Sequence, residues 1–312
     1  MSFTIVYCNT LGRVAQFILA FSELFTRFPP FDIIEIDSVV GERKEHGYRM
    51  NISITGNLGS GKSSVAKILQ EQGYEIFSTG KVFRQLAMEK GVSVEEFNKQ
   101  VNEAASRGDR SVDKMIDDTT TKISEERDNV VFDSRLAWHF AVKSFKVFVI
   151  TDINESSRRV FHDSVRANSE SYQSQEECKK ALINRQKLET VRYKEIYDID
   201  YYDMSNYNLV IESTNASPQE IAQEILDKMK AYQDGAFDRL MELNPSSIKM
   251  ESDADADSIL VNEKGGVFSL NAGKALLEAA LKANDKFVSV TVAKTEDGGE
   301  DSFMDFSKMV VS

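Results

Sequence analysis

The chain has 312 residues, 41% of them hydrophobic, which is enough for one large or two modest domains with an apolar core. Its 50 acidic side chains outnumber 38 basic ones, and the net charge of −12 argues against a nucleic-acid partner. Cys8 and Cys178 lie far apart in the sequence, so we expect no disulfide framework and a reducing, cytoplasmic compartment. The three histidines are scattered, without the spacing of metal ligands.

Residues 1–49 stand apart from the rest of the sequence. Residues 14–28 have the apolar face of a short helix, but Gln16 and Glu23 make this run too polar to span a membrane. It also lacks the features of a cleavable secretory signal. Met50 stands directly before the first strand of the motif described next. We therefore predict that residues 1–49 are an N-terminal extension, or that the start is set too early, before a domain that begins at residue 50.

A glycine-rich motif lies between a predicted strand, which contains Ile52 and Ile54, and a predicted helix. The motif reads G-N-L-G-S-G-K-S over residues 56–63, which is the P-loop pattern G-x-x-x-x-G-K-S. Glycines let backbone N–H groups surround a phosphate, and the helix that starts at Lys62 turns its positive end towards it. We predict that Lys62 reaches the β- and γ-phosphates and that Ser63 binds Mg²⁺. The alternative is a glycine-rich turn without a ligand.

Strands and helices alternate through the central region. Strands are predicted over residues 52–54, 75–77, 130–133, 145–150 and 209–211. Helices are predicted over residues 62–72, 79–90, 94–100, 111–126, 154–166, 175–197 and 218–230. This alternation indicates an α/β fold with a P-loop parallel sheet covered by helices on both faces. Ligands then bind beyond the carboxyl ends of the strands.

Charged residues follow several of these strand ends. Asp133 ends an apolar strand, as a Mg²⁺- or water-binding Asp does in P-loop proteins, although a helix cap or an ion pair with Arg135 would also explain it. Arg84 and Arg135 can each fork onto a phosphate, and a surface ion pair is the alternative for either. A charged segment is either a solvated helix face or a mobile lid, and its arginines are Arg158, Arg159, Arg166, Arg185 and Arg192.

Residues 51–230 resemble the nucleoside monophosphate kinases, and most closely the cytidylate kinase-like proteins. The resemblance rests on G-N-L-G-S-G-K-S-S-V-A-K at residues 56–67, S-T-G-K-V-F-R-Q-L-A at 78–87, D-S-R-L-A-W-H-F at 133–140, V-R-Y-K-E-I-Y-D-I-D at 191–200 and Y-N-L-V-I at 207–211. It implies a five-stranded parallel core, a monophosphate-binding insert and a lid. It also implies transfer of the γ-phosphoryl group of ATP to a nucleoside monophosphate, CMP or dCMP.

The resemblance assigns roles to individual residues, with ATP and Mg²⁺ as cofactors. The implied ATP-binding set is Gly56, Asn57, Leu58, Gly59, Ser60, Gly61, Lys62, Ser63 and Ser64. The acceptor nucleotide would contact Thr79, Gly80, Arg84 and Arg135, and Mg²⁺ would contact Ser63 and Asp133. The catalytic set is Lys62, Arg135 and the lid arginines Arg185 and Arg192. No general base is required, because the acceptor phosphate is already an anion.

Three departures from the family pattern bear on the acceptor and on turnover. Lys81 stands where many relatives have Asp, residues 163–168 carry fewer charges than a usual lid, and Asn208 replaces a common Asp. They leave two alternatives open. One is a P-loop kinase for another small acceptor, and the other is a nucleotide-sensing adaptor without turnover.

The pattern changes after residue 232. We predict a kinase-like domain over residues 50–232, an acidic linker over 233–257 and a small α+β C-terminal module over 258–312. Within the module, strands are expected over 259–261, 267–270 and 287–292, a helix over 271–283 and a loose tail from 295. The module is weakly similar to part of the ParB-type nuclease-like fold, in which the helix opens with G-x-x-R. Here the corresponding segment is G-K-A-L at residues 273–276, which has no arginine. We therefore expect it to dock on a protein partner or to self-associate.

Overall fold

The computed structural model describes residues 49–163, 172–296, 298 and 304–310. The predicted N-terminal extension therefore lies outside the described residues, except for Arg49, and so does the stretch 164–171 of the predicted lid. Among the described helices, none combines the length and the apolar character needed to cross a membrane.

Ten strands and nine helices of at least four residues are found in the described part of the chain. The strands are β1 (Asn51–Gly56), β2 (Glu75–Ser78), β3 (Val130–Asp133), β4 (Ser144–Ile150), β5 (Leu209–Glu212), β6 (Leu240–Leu243), β7 (Ile248–Lys249), β8 (Ile259–Lys264), β9 (Val267–Ala272) and β10 (Val288–Glu296). The helices are α1 (Lys62–Glu71), α2 (Thr79–Glu89), α3 (Val94–Ser106), α4 (Ser111–Glu126), α5 (Ala137–Phe140), α6 (Ile153–Phe161), α7 (Gln175–Tyr197), α8 (Pro218–Gln233) and α9 (Lys274–Ala283).

The first five strands form a parallel sheet in the order β2-β3-β1-β4-β5. Ile54 of β1 pairs with Asp133 of β3 and with Val147 of β4, so the carboxyl ends of these strands meet at one edge. The predicted P-loop parallel sheet of an α/β fold is thus confirmed. The edge carries the P-loop and Asp133, as expected for a ligand-binding edge.

Alternate residues of the central strands are buried on opposite faces of this sheet. Val147 and Val149 of β4 belong to the core cluster that α1 and α8 cover. Phe148 and Ile150 belong to a second cluster with Tyr202 and Tyr207, which follow α7 in the chain. The near-continuous apolar run of β4 follows from this burial on both faces.

The sheet does not end at β5. Strand β6 lies within the range predicted as an acidic linker, and it pairs parallel to β5 and antiparallel to β10. Strands β8, β9 and β7 complete a ten-stranded sheet. The described residues between 240 and 310 are called the C-terminal segment below. Their strands extend the kinase-like sheet, so the whole range 233–257 is not a linker. The domain boundaries at 232 and 258 stay a prediction.

The predicted loose tail was wrong in its described part. Strand β10 continues to Glu296, and Phe306 is fully buried with its ring 5.7 Å from the ring of Phe268. Asp305 forms an isolated bridge with Asp203, which ties residues 304–310 to the loop after α7. Burial of a large aromatic side chain explains the order that the polar sequence around it did not indicate.

Three predicted helix boundaries also move. Helix α6 ends at Phe161, short of the predicted 166, and α3 runs on to Ser106 beyond the predicted 100. Helix α9 begins at Lys274 rather than 271, because Ala272 still pairs with Leu260 of β8. The positive φ of Gly273, 93°, makes the turn from strand to helix.

Candidate active site

The P-loop passes so close to its neighbours that two of its glycines cannot be replaced. A Cβ on Gly56 would stand 2.2 Å from the carbonyl oxygen of Val149 in β4. A Cβ on Gly59 would stand 2.7 Å from the carbonyl oxygen of Ser156 in α6, and φ of Gly59 is 78°. The loop is therefore wedged between β4 and α6, and it leads into the N-terminus of α1. The first N–H groups of α1 have no acceptor within the helix, so this end suits an anion such as a phosphate.

Lys62 folds back over the loop. Its ammonium group donates to the carbonyl oxygens of Gly56 at 2.9 Å and Asn57 at 2.5 Å, and to Ser60 Oγ at 3.2 Å. The residue is 9% exposed. The ammonium group thus lies directly over the P-loop, where a phosphate oxygen would be a suitable further partner.

The remaining P-loop side chains shape the loop in different ways. Leu58 packs against Val160 and Leu182, so its side chain belongs to a core cluster and not to a ligand surface. Ser60 Oγ donates to the carbonyl oxygen of Asn57 at 2.9 Å and closes the turn. Ser64 is exposed on the first turn of α1. Asn57 is buried, and its backbone N–H donates to the carbonyl oxygen of Val149 at 3.3 Å.

Ser63 and Asp133 come together at the end of the sheet. Ser63 Oγ donates to Asp133 Oδ2 at 2.9 Å, although the residues are 70 positions apart. A hydroxyl and a carboxylate are hard oxygen donors, and Mg²⁺ binds one or two such groups while phosphate oxygens and water complete its shell. The pair therefore fits the magnesium site that the resemblance implies.

Arg135 reaches from the start of the segment after β3 to the P-loop. Its Nη1 donates to the carbonyl oxygen of Gly56 at 3.0 Å, and its Nε donates to Glu189 Oε2 at 2.9 Å. Burial is the largest single influence and lowers the pKa of Arg135, but the Glu189 carboxylate together with the neighbouring tyrosines raises it above its ordinary value. Arg135 thus remains a cation at the edge of the phosphate site.

Glu189 also holds a lid arginine. Arg185 Nε donates to Glu189 Oε1 at 3.0 Å, one helical turn away on α7. Burial raises the pKa of Glu189, yet the two nearby guanidinium groups bring it below its ordinary value. One carboxylate therefore gathers a predicted acceptor-binding arginine and a predicted lid arginine. Arg185 itself remains 47% exposed, so it has room to reorient.

The second lid arginine is held by α4, the helix that precedes β3. Arg192 Nη2 donates to both carboxylate oxygens of Asp113 in α4, at 2.6 and 2.8 Å. One turn further along each helix, Tyr197 OH donates to Asp117 Oδ2 at 2.6 Å. Burial, more than the carboxylate of Asp113, raises the pKa of Asp117 to about 6. These contacts fix α7 against α4.

Thr79, Gly80 and Arg84 lie on the first turns of α2, directly after β2. Ser78 at the end of β2 pairs with Asp133, so this helix start adjoins the Ser63–Asp133 pair. The Arg84 Nη1 atom lies 3.5 Å from the position of a Cβ on Gly80. Arg84 is exposed, unlike Arg135. Three of the four predicted acceptor residues therefore lie at the start of one helix, and the fourth, Arg135, contacts the P-loop.

Sequence reasoning missed two residues of this arrangement, Glu189 and Asp113, which orient the arginines. Arg159, one of the arginines of the predicted lid segment, lies over the P-loop with its Nη1 3.8 Å from the position of a Cβ on Gly61. Arg159 also donates to the carbonyl oxygens that follow β5, at residues 213 and 214. Arg185 and Glu189 are four residues apart on one helix, a spacing that could have predicted their ion pair from the sequence. No local pattern indicated the contact of Asp113 with Arg192.

Comparisons with known proteins cover this same region. The family model described as the cytidylate kinase-like family matches residues 51–215. The cytidylate kinase of Methanosarcina mazei is 37% identical over 165 residues, which is 53% of this chain and 87% of that protein. The cytidylate kinases of Methanococcoides burtonii and Natronomonas pharaonis are each 34% identical, over 53% and 59% of this chain and 88% and 91% of their own lengths.

Proposed function

Because the chain belongs to the cytidylate kinase-like family, we propose that it transfers the γ-phosphoryl group of ATP to CMP or dCMP. The observation that carries the proposal is the convergence of three groups at one edge of the sheet. Lys62 lies on the P-loop, Ser63 contacts Asp133, and Arg135 contacts the carbonyl oxygen of Gly56. A phosphoryl transfer needs positioning and positive charge, and these groups supply both.

On the donor side, the chain's own residues bind and orient phosphates. Lys62 would exchange part of its contacts with loop oxygens for oxygens of the β- and γ-phosphates. Ser63 and Asp133 would hold Mg²⁺, which neutralises charge on the phosphates when it is bound. The glycine loop and the N-terminus of α1 complete an anion site.

On the acceptor side, the phosphate of the nucleoside monophosphate would lie between α2 and Arg135. Thr79, Gly80 and Arg84 provide the contacts on α2. Arg185 and Arg192 would neutralise charge that develops on the transferring group. Both are held by carboxylates on the protein, which orients them before a substrate arrives.

The test is an ADP-release assay on the full-length chain with ATP, Mg²⁺ and each of AMP, CMP, dCMP, UMP and GMP. We expect turnover with CMP or dCMP alone. Turnover with another monophosphate would keep the kinase and reject the cytosine nucleotide. Measurable ATP binding without turnover on any of them would favour an acceptor outside the set or a nucleotide-sensing adaptor.

Two further predictions accompany this function. We propose a reducing, cytoplasmic location, since two cysteines far apart in the sequence do not make a disulfide framework. Docking or self-association through the C-terminal segment also stays a prediction.

A further inference from the structure

Residues 304–310, called the C-terminal strap below, contact the loop that follows α7, the helix that carries the lid arginines. The backbone N–H of Asp305 donates to the carbonyl oxygen of Tyr202 at 2.8 Å. The backbone N–H of Met204 donates in turn to the carbonyl oxygen of Asp305 at 2.9 Å. The strap therefore holds this loop by two backbone hydrogen bonds, in the pattern of a parallel strand pair.

Side chains anchor the C-terminal strap at both of its ends. Phe306 is fully buried against Phe268 of β9, in the core that the C-terminal segment shares with the kinase-like sheet. Lys308 forms an ion pair with Asp203, a buried residue of the loop after α7. The strap thus connects the core of the C-terminal segment to this loop.

Tyr202 connects the same loop with the middle of α7. Its hydroxyl accepts a hydrogen bond from Gln186 Nε2 at 2.7 Å. Tyr202 and Gln186 are 1% and 2% exposed, so water has little access to either group. A hydrogen bond between buried groups is costly to lose, because each partner is left without a replacement. Since the bond is directional, it restricts the rotation of α7 about its own axis.

Gln186 lies beside the charged groups that the proposed reaction uses. Arg185 precedes it on α7, and Glu189 follows one helical turn later. Glu189 accepts from Arg135, which also donates to the carbonyl oxygen of Gly56 in the P-loop. The side chains of a helix turn together when the helix rotates. A rotation of α7 would therefore separate Glu189 from Arg135.

We propose that the C-terminal strap, Tyr202 and Gln186 form a positioning chain that holds α7 in the orientation needed for catalysis. The chain acts through Glu189 and Arg135, and its members are positioning residues. The family match ends at residue 215, so the strap lies beyond the matched region and supports α7 from outside it. The proposal rests on the proposed phosphoryl transfer, because the arginines of that reaction are the groups being positioned.

Tyr202→Phe removes the hydroxyl and keeps the ring. In ADP release by the full-length chain with ATP and CMP, kcat should fall about tenfold while KM for ATP changes less than about twofold. Phe306→Ala should lower kcat about fivefold, and Phe306→Leu, which keeps the site apolar, should restore most of it. The matched control is Leu277→Ala, which truncates a fully buried side chain of α9 in the same core and should leave kcat unchanged.

Gln186→Leu tests whether these groups act as one chain. If Gln186 and Tyr202 act through their shared hydrogen bond, the double variant should lose no more kcat than Tyr202→Phe alone. Phe306→Ala combined with Tyr202→Phe should likewise fall short of the product of the two single effects. Fully multiplied effects, or an unchanged kcat in Tyr202→Phe, would overturn the proposal.

Hydrogen exchange of the nucleotide-free protein, followed by mass spectrometry, provides a test that needs no turnover. The amides of α7 should exchange at least about threefold faster in Tyr202→Phe and Phe306→Ala, with α8, on the other face of the sheet, unchanged. Lys308→Gln should give about a twofold increase, and it represents the strap if Phe306→Ala does not fold.

The two readouts separate the proposals. Faster exchange of α7 in a chain that makes no CDP would reject the proposed function and support the hold of the strap on α7. Unchanged exchange of α7 in these variants would overturn the positioning chain, whether or not the chain makes CDP.

Discussion

The two sides of the candidate active site differ in how firmly their charged groups are held. On the donor side, Lys62 contacts three oxygen atoms and Ser63 contacts Asp133. On the acceptor side, Arg84 and Arg185 are exposed, and Arg185 donates to Glu189. Arg135 joins the two sides, because it contacts both the P-loop and Glu189.

This difference suggests how the work of catalysis is divided. Preorganised charge lowers the barrier of the chemical step, because it needs no rearrangement when the transition state forms. Groups that become ordered only when the substrate binds contribute first to substrate affinity. Substitutions on the donor side should therefore lower kcat, and those on the exposed acceptor side should raise KM for the monophosphate.

The largest effect is expected for Lys62→Met. Loss of the ammonium group removes the charge nearest the transferring phosphoryl group, and kcat should fall about 10³-fold. The assay is steady-state ADP release with CMP, and the control is Lys67→Met, an exposed lysine on the same helix. Comparable losses in both variants would show that the effect does not come from the P-loop contact.

Arg135→Gln should lower kcat/KM about 10²-fold. The change removes the cation that links the P-loop to the acceptor side and leaves Glu189 without one of its two arginines. Glu189→Gln should cost less, because Arg135 keeps its contact with the Gly56 carbonyl oxygen. If Glu189→Gln were the more damaging change, the carboxylate and not the guanidinium would be the important group.

Arg84→Gln should raise KM for CMP about tenfold and change kcat little. Arg84 is exposed and close to Gly80, so its contribution begins when the monophosphate arrives. Arg107→Gln provides the matched control, since Arg107 is an exposed arginine at the end of α3. A fall in kcat with an unchanged KM would place Arg84 on the donor side of the comparison.

The smallest effect concerns stability, at the contact of α4 with α7. The pKa of Asp117 is raised to about 6 in the folded chain, so the folded state binds a proton more tightly than the unfolded chain between about pH 4 and 6. The free energy of unfolding should therefore fall as pH rises through this window. Asp117→Asn should abolish this fall. Two pKa units correspond to ~3 kcal/mol, which screening by solvent at this partly exposed carboxyl reduces, so we expect the variant to gain about 1 kcal/mol over the wild type between pH 4 and pH 7. Urea unfolding at a series of pH values measures it, and parallel curves for both proteins would contradict the assignment.

The sequence predicted the parts of this site that depend on local pattern. The P-loop, the strand that ends at Asp133 and the helix that begins at Thr79 are each recognisable within a few residues. Parallel pairing then brings their ends together without further information. The predicted magnesium pair, Ser63 and Asp133, follows from this rule, and the two side chains are hydrogen-bonded.

Contacts between distant segments were beyond prediction. Arg135 and Glu189 are 54 positions apart, and Arg192 and Asp113 are 79 apart, so no periodicity links them. The strands β8, β9 and β10 of the C-terminal segment were predicted from the sequence. Their pairing with the first sheet through β6 was not predicted. Strand pairing partners depend on which edge is free, and local sequence does not specify that edge.

The most direct test of the account follows the phosphoryl group itself. The full-length chain is incubated with Mg²⁺, CMP and ATP labelled at the γ-phosphorus, and the labelled products are separated. We predict that the label appears in CDP with the wild-type protein, and that Lys62→Met forms CDP about 10³-fold more slowly. Label that stays in ATP, or that is released as inorganic phosphate while CMP remains unchanged, would contradict the assignment of this chain as a nucleoside monophosphate kinase.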